Sequence, residues 1–226
     1  MVQTLSLISL ILLAGTSSLR AQIQGTQATP TIQANGSATI SVQPDQAQLT
    51  ISVSTDGATA QQAAQQNATQ TNQVLSAVKQ VLGTSGNVQT VGYAINPRYS
   101  NGANPNIIGY TAVNTIQVTT YDLSLPGPLI DAASGSGATN VNGLTFGLQN
   151  PDPVKQQALT AATKQALAHA GAIAAGLGGR VGPVVSAQES STSTPVVALA
   201  AASASTPIQT GYVTVSASVV VTVQVQ

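Results

Sequence analysis

Apolar and polar residues alternate with a period of two from Ile32 to Val42 and again from Ala47 to Val53. In the first run Ile32, Ala34, Gly36, Ala38, Ile40 and Val42 share one parity and Gln33, Asn35, Ser37, Thr39 and Ser41 the other. In the second, Ala47, Leu49, Ile51 and Val53 alternate with Gln48, Thr50 and Ser52. This is the signature of strands with one buried and one wet face. Gln43-Pro44-Asp45-Gln46 between them reads as a reversal, since proline presets φ and an Asp side chain bonds its own backbone. Closed as an antiparallel hairpin, the pair sets Val42 opposite Ala47, Ile40 opposite Leu49, Ala38 opposite Ile51 and Gly36 opposite Val53.

The period then changes. Thr59 opens a helix with Gln62 as its capping-box partner and Gly83 as its stop, and Ala64, Ala68, Thr71, Leu75, Val78 and Leu82 form its apolar stripe. Val88 to Tyr99 and Ile108 to Val118 read as a second hairpin around the turn-rich loop Ser100 to Asn106, with Asn114 the one polar residue on the inner face of the second strand. Leu129 to Ser134 fits a short helix and Val141 to Leu148 a strand. Asp152 as N-cap and Pro153 in the first turn start a second long helix, whose stripe is Leu159, Ala162, Ala166, Ala170, Ile173 and Leu177 and which ends at Gly178-Gly179. Arg180 to Ala187 reads as a strand and Glu189 to Pro207 as a loop. Tyr212 to Val225 is the strongest strand, with Val213, Val215, Ala217, Val219, Val221, Val223 and Val225 facing inward. The order predicts an α+β fold, largely antiparallel β-sheet with two long helices and one short helix, built as a two-lobed or duplicated unit in which no repeat aligns.

Composition narrows the partners. Only 5% of the 226 residues are charged, six basic and six acidic, so solubility rests on Gln, Asn, Ser and Thr, and no field exists to attract nucleic acid. Aromatics are 3%, too few for stacking platforms or membrane girdles. The absence of cysteine removes disulfides and thiolate chemistry. Leu5 to Ala14 is an apolar run, too short to span a bilayer comfortably, and with the small residues after it resembles a secretory signal cleaved after Ala21, although no Lys or Arg precedes it. The expected organisation is therefore a signal peptide at 1–21, a polar lead-in at 22–31 and one domain at 32–226, with no transmembrane span in the mature chain. Loss of Arg20 would leave five basic against six acidic residues.

Candidate chemistry is sparse. His169 is the single histidine, and without cysteine or gathered carboxylates it reads as structural or solvated. Asp45 suits a turn, while Asp131 on the short helix and Asp152 at a helix start suit helix polarity. Gly176-Leu177-Gly178-Gly179 follows a helix, so it reads as a C-cap and not as a phosphate loop. Tyr93, Tyr99 and Tyr110 cluster on one hairpin, as a ligand patch or as sheet packing. The Val-rich last strand lies either at a sheet edge, offering its backbone to a neighbour, or in the middle of its own sheet. No residue is assigned as catalytic, cofactor-binding or metal-ligating.

Gly36 before Val42-Gln43-Pro44-Asp45-Gln46-Ala47, then Thr59-Ala60-Gln61-Gln62-Ala63 with Asn67, and Thr90 before Asn96-Pro97-Arg98-Tyr99, resemble the SIMPL-domain family. Gly109 to Asn114, Leu129 to Ala133, Phe146, Ala158 to Ala170, Gly182-Pro183-Val184 and Pro207-Ile208 with Gly211 agree, so the resemblance covers Ile32 to Val225. The chain departs from the family in having Gln, Thr and Ala where relatives carry charged helix faces. The resemblance implies an exported, periplasmic or outer-membrane-associated protein without enzymatic activity, linked in some bacteria to oxidative-stress defence and in some relatives to ring-like homo-oligomers. The expected role is structural or protective through self-association, with an envelope protein as a further partner. The alternative is a periplasmic module that binds a ligand or partner at the Tyr-bearing hairpin.

Overall fold

The computed structural model describes residues 29–102, 104–197 and 210–226. The expected signal peptide and most of the polar lead-in lie outside the described residues. Seven strands and three helices follow in the order β1 (Thr31–Val42), β2 (Gln46–Gly57), α1 (Ala60–Leu82), β3 (Gly86–Tyr99), β4 (Ile107–Thr120), α2 (Pro126–Gly135), β5 (Asn140–Gly147), α3 (Asp152–Gly176), β6 (Val181–Val197) and β7 (Val213–Val225). They form two antiparallel sheets, β1-β7-β6 and β3-β4-β2-β5. The predicted α+β class holds, and so does the division into two lobes, because each sheet has its own core. Ala158, Ala162, Ala166, Ala170 and Ala174 of α3 pack on β1 and β7, whereas Val74, Val78 and Leu82 of α1 pack on β2 and β4 beside Leu129 and Ala133 of α2.

The two lobes repeat one topology. In one, β2 is followed by α1 and the β3–β4 hairpin, and the second hairpin strand pairs with β2. In the other, α3 leads into the β6–β7 hairpin, whose second strand pairs with β1. The first βαββ unit, extended by α2 and β5, is thus inserted between the opening strand and the helix of the second.

The predicted β1–β2 hairpin does not form. Gly36, Ala38 and Ile40 stand opposite Val219, Ala217 and Val215 of β7, while Leu49 and Ile51 stand opposite Val118 and Ile116 of β4. Both edges of β2 are taken by β4 and β5, so β1 has no place beside it. The connection is held elsewhere: Asp45 N–H donates to Gly147 O at 3.0 Å, its Oδ1 accepts from Gln149 N at 2.7 Å, and Gln46 Nε2 donates to Leu148 O at 3.0 Å. Alternation had identified which face of each strand is buried; a pleat carries no information on which strand lies beside it.

Each predicted helix stripe is half right: Thr71, Val78 and Leu82 of α1 and Ala162, Ala166 and Ala170 of α3 are buried, and the rest is displaced. The buried positions of α1 are Ala63, Asn67, Thr71, Val74, Val78 and Leu82, so Ala64, Ala68 and Leu75 fall on its flank. Thr59 does cap it, accepting from Gln62 N at 3.2 Å, and Gly83 ends it with φ 55°. In α3 the buried row is five alanines four residues apart, while Ile173 and Leu177 are exposed. The reason lies at Gly36: a Cβ there would meet Ala162 O at 2.0 Å, so helix and strand approach too closely for leucine between them. Asp152 is the first helical residue and Pro151 the cap, one position earlier than predicted. The predicted loop from Glu189 is strand as far as Val197, because β7 offers it a ladder; the rest of that loop to Pro207 lies outside the described residues. β7 itself is the central strand of its sheet and not an edge.

Candidate functional site

The β3–β4 hairpin is where unusual surface collects. Tyr93 and Ile95 of β3 stand opposite Asn114 and Ala112 of β4, on the side of the sheet that α1 covers further along. α1 lies mainly over β2 and β4 and reaches only the start of β3, where Val88 packs on its core, and α2 packs beside it, so the edge strand from Val91 to Tyr99 is left largely exposed. Val91 is 52% exposed, Tyr93 53%, Ile95 37% and Tyr99 55%, and Ile107 and Ile108 at the hairpin end are exposed as well. Tyr110 is half-buried. The structure thus brings the three tyrosines onto one hairpin, as the sequence indicated. Asn114 Oδ1 is buried there with no hydrogen-bond partner among the described residues.

On the opposite, helix-free face, charge is concentrated at one point. Arg98 of β3 pairs with Asp56 of β2, whose other oxygen accepts from Thr111 Oγ1 at 2.5 Å. The three residues come from three adjacent strands, and Asp56 is directly opposite Thr111 in the ladder. The pair therefore ties the far ends of β2 and β3 across β4. Sequence reasoning singled out Arg98 only within its motif and missed Asp56; in so charge-poor a chain, one acid at the end of a strand was the available signal. The rest of this face is a neutral array of Gln, Thr, Ser and Asn, including Gln89 Nε2 donating to Gln117 Oε1 at 2.8 Å.

Most of the other singled-out residues are tied into local hydrogen bonds or ion pairs. His169 Nδ1 lies 2.8 Å from Asn35 O, which requires Nδ1 to carry the hydrogen, and one turn earlier Gln165 Oε1 accepts from Ser37 N at 2.6 Å. Both side chains of α3 thus plug the outer edge of β1. They also line a groove of about 770 Å³ with Ile173, Asn35, Ser37 and Val220, which brings no charged side chain to His169. Asp45 fastens the inter-lobe connection, Asp131 is exposed on α2, and Asp152 pairs with Lys155 at 3.6 Å. Gly178 N donates to Ala175 O and Gly179 N to Ala174 O, with Gly178 at φ 78°, so the glycine run is a helix C-cap. Asp122 precedes α2, and hydrogen bonds from the Ser124 hydroxyl and then from its N–H hold its carboxyl below the ordinary 3.8. Among the described residues no cluster of three metal-ligating side chains occurs.

A two-lobed α+β protein built from paired βαββ units, with neutral sheet faces and one apolar hairpin edge, is the class that fold and surface define. Residues 32–223 match the family model of SIMPL, described as a protein of unknown function (DUF541), and the chain belongs to that family. It is 32% identical over 189 residues to the uncharacterized protein YggE of Escherichia coli K12, spanning 79% of this chain and 73% of that protein. It is 30% identical over 192 residues to the 26 kDa periplasmic immunogenic protein of Brucella melitensis, spanning 81% and 77%. YggE of Edwardsiella ictaluri is 24% identical over 186 residues, with 80% and 78% covered. No described helix is long and apolar enough to cross a membrane.

Proposed function

We propose that this chain is an exported envelope protein, periplasmic or outer-membrane-associated, that acts without enzymatic chemistry by associating with copies of itself in a structural or stress-protective role. The observation that carries the reading is the uncovered apolar edge of β3 in a molecule with no net charge to keep copies apart. The periplasmic name of the Brucella relative supports the compartment. Export would proceed through a signal peptide over 1–21, so the mature chain should begin at Gln22, with residues 32–226 as its folded domain. Protection against oxidants would not work through sacrificial thiols, since the chain has no cysteine and its one methionine is Met1.

Light scattering after size exclusion on the secreted protein, at low and high salt, tests the reading. A defined, salt-resistant multiple of the chain mass is expected, because ion pairs are too few to hold the contact. A monomer at both salts would overturn self-association. It would favour a second reading, supported by the exposure of Tyr93 and Tyr99: a module that binds a ligand or an envelope partner at this hairpin. Intact mass of the secreted chain checks export, and retention of Met1 would refute it.

A further inference from the structure

We infer that the groove between α3 and β1 is a binding site for an uncharged, hydroxyl-rich small molecule, a saccharide, held between the side chains of Gln165 and His169. The site belongs to the α3 lobe and not to the β3–β4 hairpin, and it stands whether or not copies of the chain associate.

The backbone of β1 fixes what the two side chains can offer. Ser37 N–H can only donate, so the Gln165 oxygen faces it, at 2.6 Å, and the amide NH2 is left over as a donor. Asn35 O can only accept, so His169 carries its hydrogen on Nδ1, 2.8 Å away, and Nε2 of the neutral ring is left over as an acceptor. Both residues are exposed, and neither leftover nitrogen has a partner among the described residues. Side chains four residues apart on a helix lie on one side of it, with Cβ atoms about 5–6 Å apart. One donor and one acceptor therefore stand a helical turn apart, each anchored to the strand before a ligand arrives.

The groove around them has a volume of about 770 Å³, within the roughly 300–1,000 Å³ of small-ligand sites. Ile173 of α3 and Val220 of β7 supply aliphatic surface, and Asn35 and Ser218 add amide and hydroxyl groups.

Three observations select the occupant. No Asp, Glu, Lys or Arg lines the groove, so a phosphate, carboxylate or ammonium group would lose water there without gaining a counter-charge. A purely apolar molecule would cover the leftover donor and acceptor and leave both unpaired. A peptide strand added to β1 would have to displace Gln165 and His169 from the edge groups that they already hold. A saccharide meets all three conditions. It is neutral, its hydroxyls both donate and accept, and they are spaced across an aliphatic ring. One hydroxyl accepts from Gln165 Nε2, another donates to His169 Nε2, and ring C–H groups pack on Ile173. The groove has no Tyr, Phe or Trp to stack on the ring, so the affinity is low and the contact is best read by NMR.

His169 is the only histidine in the chain, so its ring nitrogens give one unambiguous set of signals in a long-range proton–nitrogen spectrum. The secreted protein would be titrated at about pH 8, where imidazole is neutral, with maltose, N,N′-diacetylchitobiose and glucuronate in turn. Before any addition the ring should be protonated at Nδ1; a ring protonated at Nε2 would remove the fixed acceptor and overturn the inference. The expected result is a saturable shift of His169 Nε2 and of the Gln165 amide protons with at least one of the neutral disaccharides, and a weaker response to glucuronate. Gln165→Leu should weaken that titration about fivefold, the worth of one hydrogen bond, without changing the circular dichroism. The inference is overturned by the absence of a saturable shift with both disaccharides, by an equal response to glucuronate, or by an unchanged affinity in Gln165→Leu. Should Gln165→Leu fail to fold, the titrations of the unmodified protein decide alone.

Discussion

Asn67 is fully buried in α1, and its Nδ2 donates to two carbonyls on neighbouring strands, Val53 O at 2.9 Å and Ala112 O at 3.0 Å, while its Oδ1 accepts from Thr71 Oγ1 at 3.3 Å. A core position on a helix facing valines calls for an aliphatic side chain; here an amide stands instead, because its donors satisfy carbonyls of the sheet beneath. Asn67→Ala removes the donor that each carbonyl receives from the helix, and a loss of about 1–3 kcal/mol is expected in urea unfolding. Asn67→Leu should cost no less, since volume does not replace donors; a loss below about 0.5 kcal/mol in either variant would show that the two bonds contribute little net stability. Asp122 offers a pH test at the same scale. Its folded pKa lies below 3.8 because Ser124 bonds the ionised form, so its contribution is complete above the unfolded value and is lost as pH falls through the folded one. In Ser124→Ala the Asp122 titration, followed by NMR, should move up toward 3.8, and the variant should lose its stability difference from the parent in acid. An unmoved titration would assign the shift to another cause.

At the scale of elements, β1 and α3 are joined by what is missing. Gly36 lets the helix backbone rest on the strand, and the five alanines of α3 keep that distance along the whole contact. Gly36→Val drives a side chain into the helix backbone at Ala162 O and Ala166 N, so a destabilisation of about 3 kcal/mol is expected by thermal or urea unfolding, with the α3 lobe affected first. A neutral substitution would mean that helix and strand separate more easily than the contact implies. The same pair shows what the sequence made legible. Buried faces of β1, β2, β4 and β7, the caps at Thr59 and Gly178, and the hairpin at β3–β4 follow from local rules of period and backbone conformation. Strand partners did not, because a proline-containing connection fits a hairpin and a crossover equally, and only competition for the edges of β2 decides between them. In the α3 stripe Ala162, Ala166 and Ala170 are buried and Leu159 packs beside them, but Ile173 and Leu177 were misplaced, because they outweigh alanine on any hydrophobicity scale while alanine is what a close approach demands. Of the candidate site, the tyrosine cluster was visible; the Asp56–Arg98 tie and the plugs on β1 were not, since each joins residues far apart in sequence.

The molecule as a whole has two cores with no buried residue in common, one under α3 and one under α1 and α2. The chain passes between lobes at residues 43–45 and again at 148–151, and these crossings are fastened to each other. Asp45 is the fastener: it donates through its N–H to Gly147 O, accepts at Oδ1 from Gln149 N at 2.7 Å, and accepts at its own carbonyl from Gln149 Nε2 at 3.0 Å. Because the lobes share little else beyond the contact of β5 with β6, the coupling between their unfolding equilibria should run through this junction. Asp45→Ala removes one exposed charge-assisted bond, a modest loss of about 1 kcal/mol. Its larger effect should be on cooperativity: the urea transition should broaden, with a lower apparent m, or split into two steps as each lobe unfolds alone. Hydrogen exchange would then show the sheet of β1 and β7 opening at a different denaturant concentration from that of β2 and β4. If Asp45→Ala shifts only the midpoint and leaves one sharp transition, the lobes are coupled through β5 and β6, and the fastened crossings serve orientation alone.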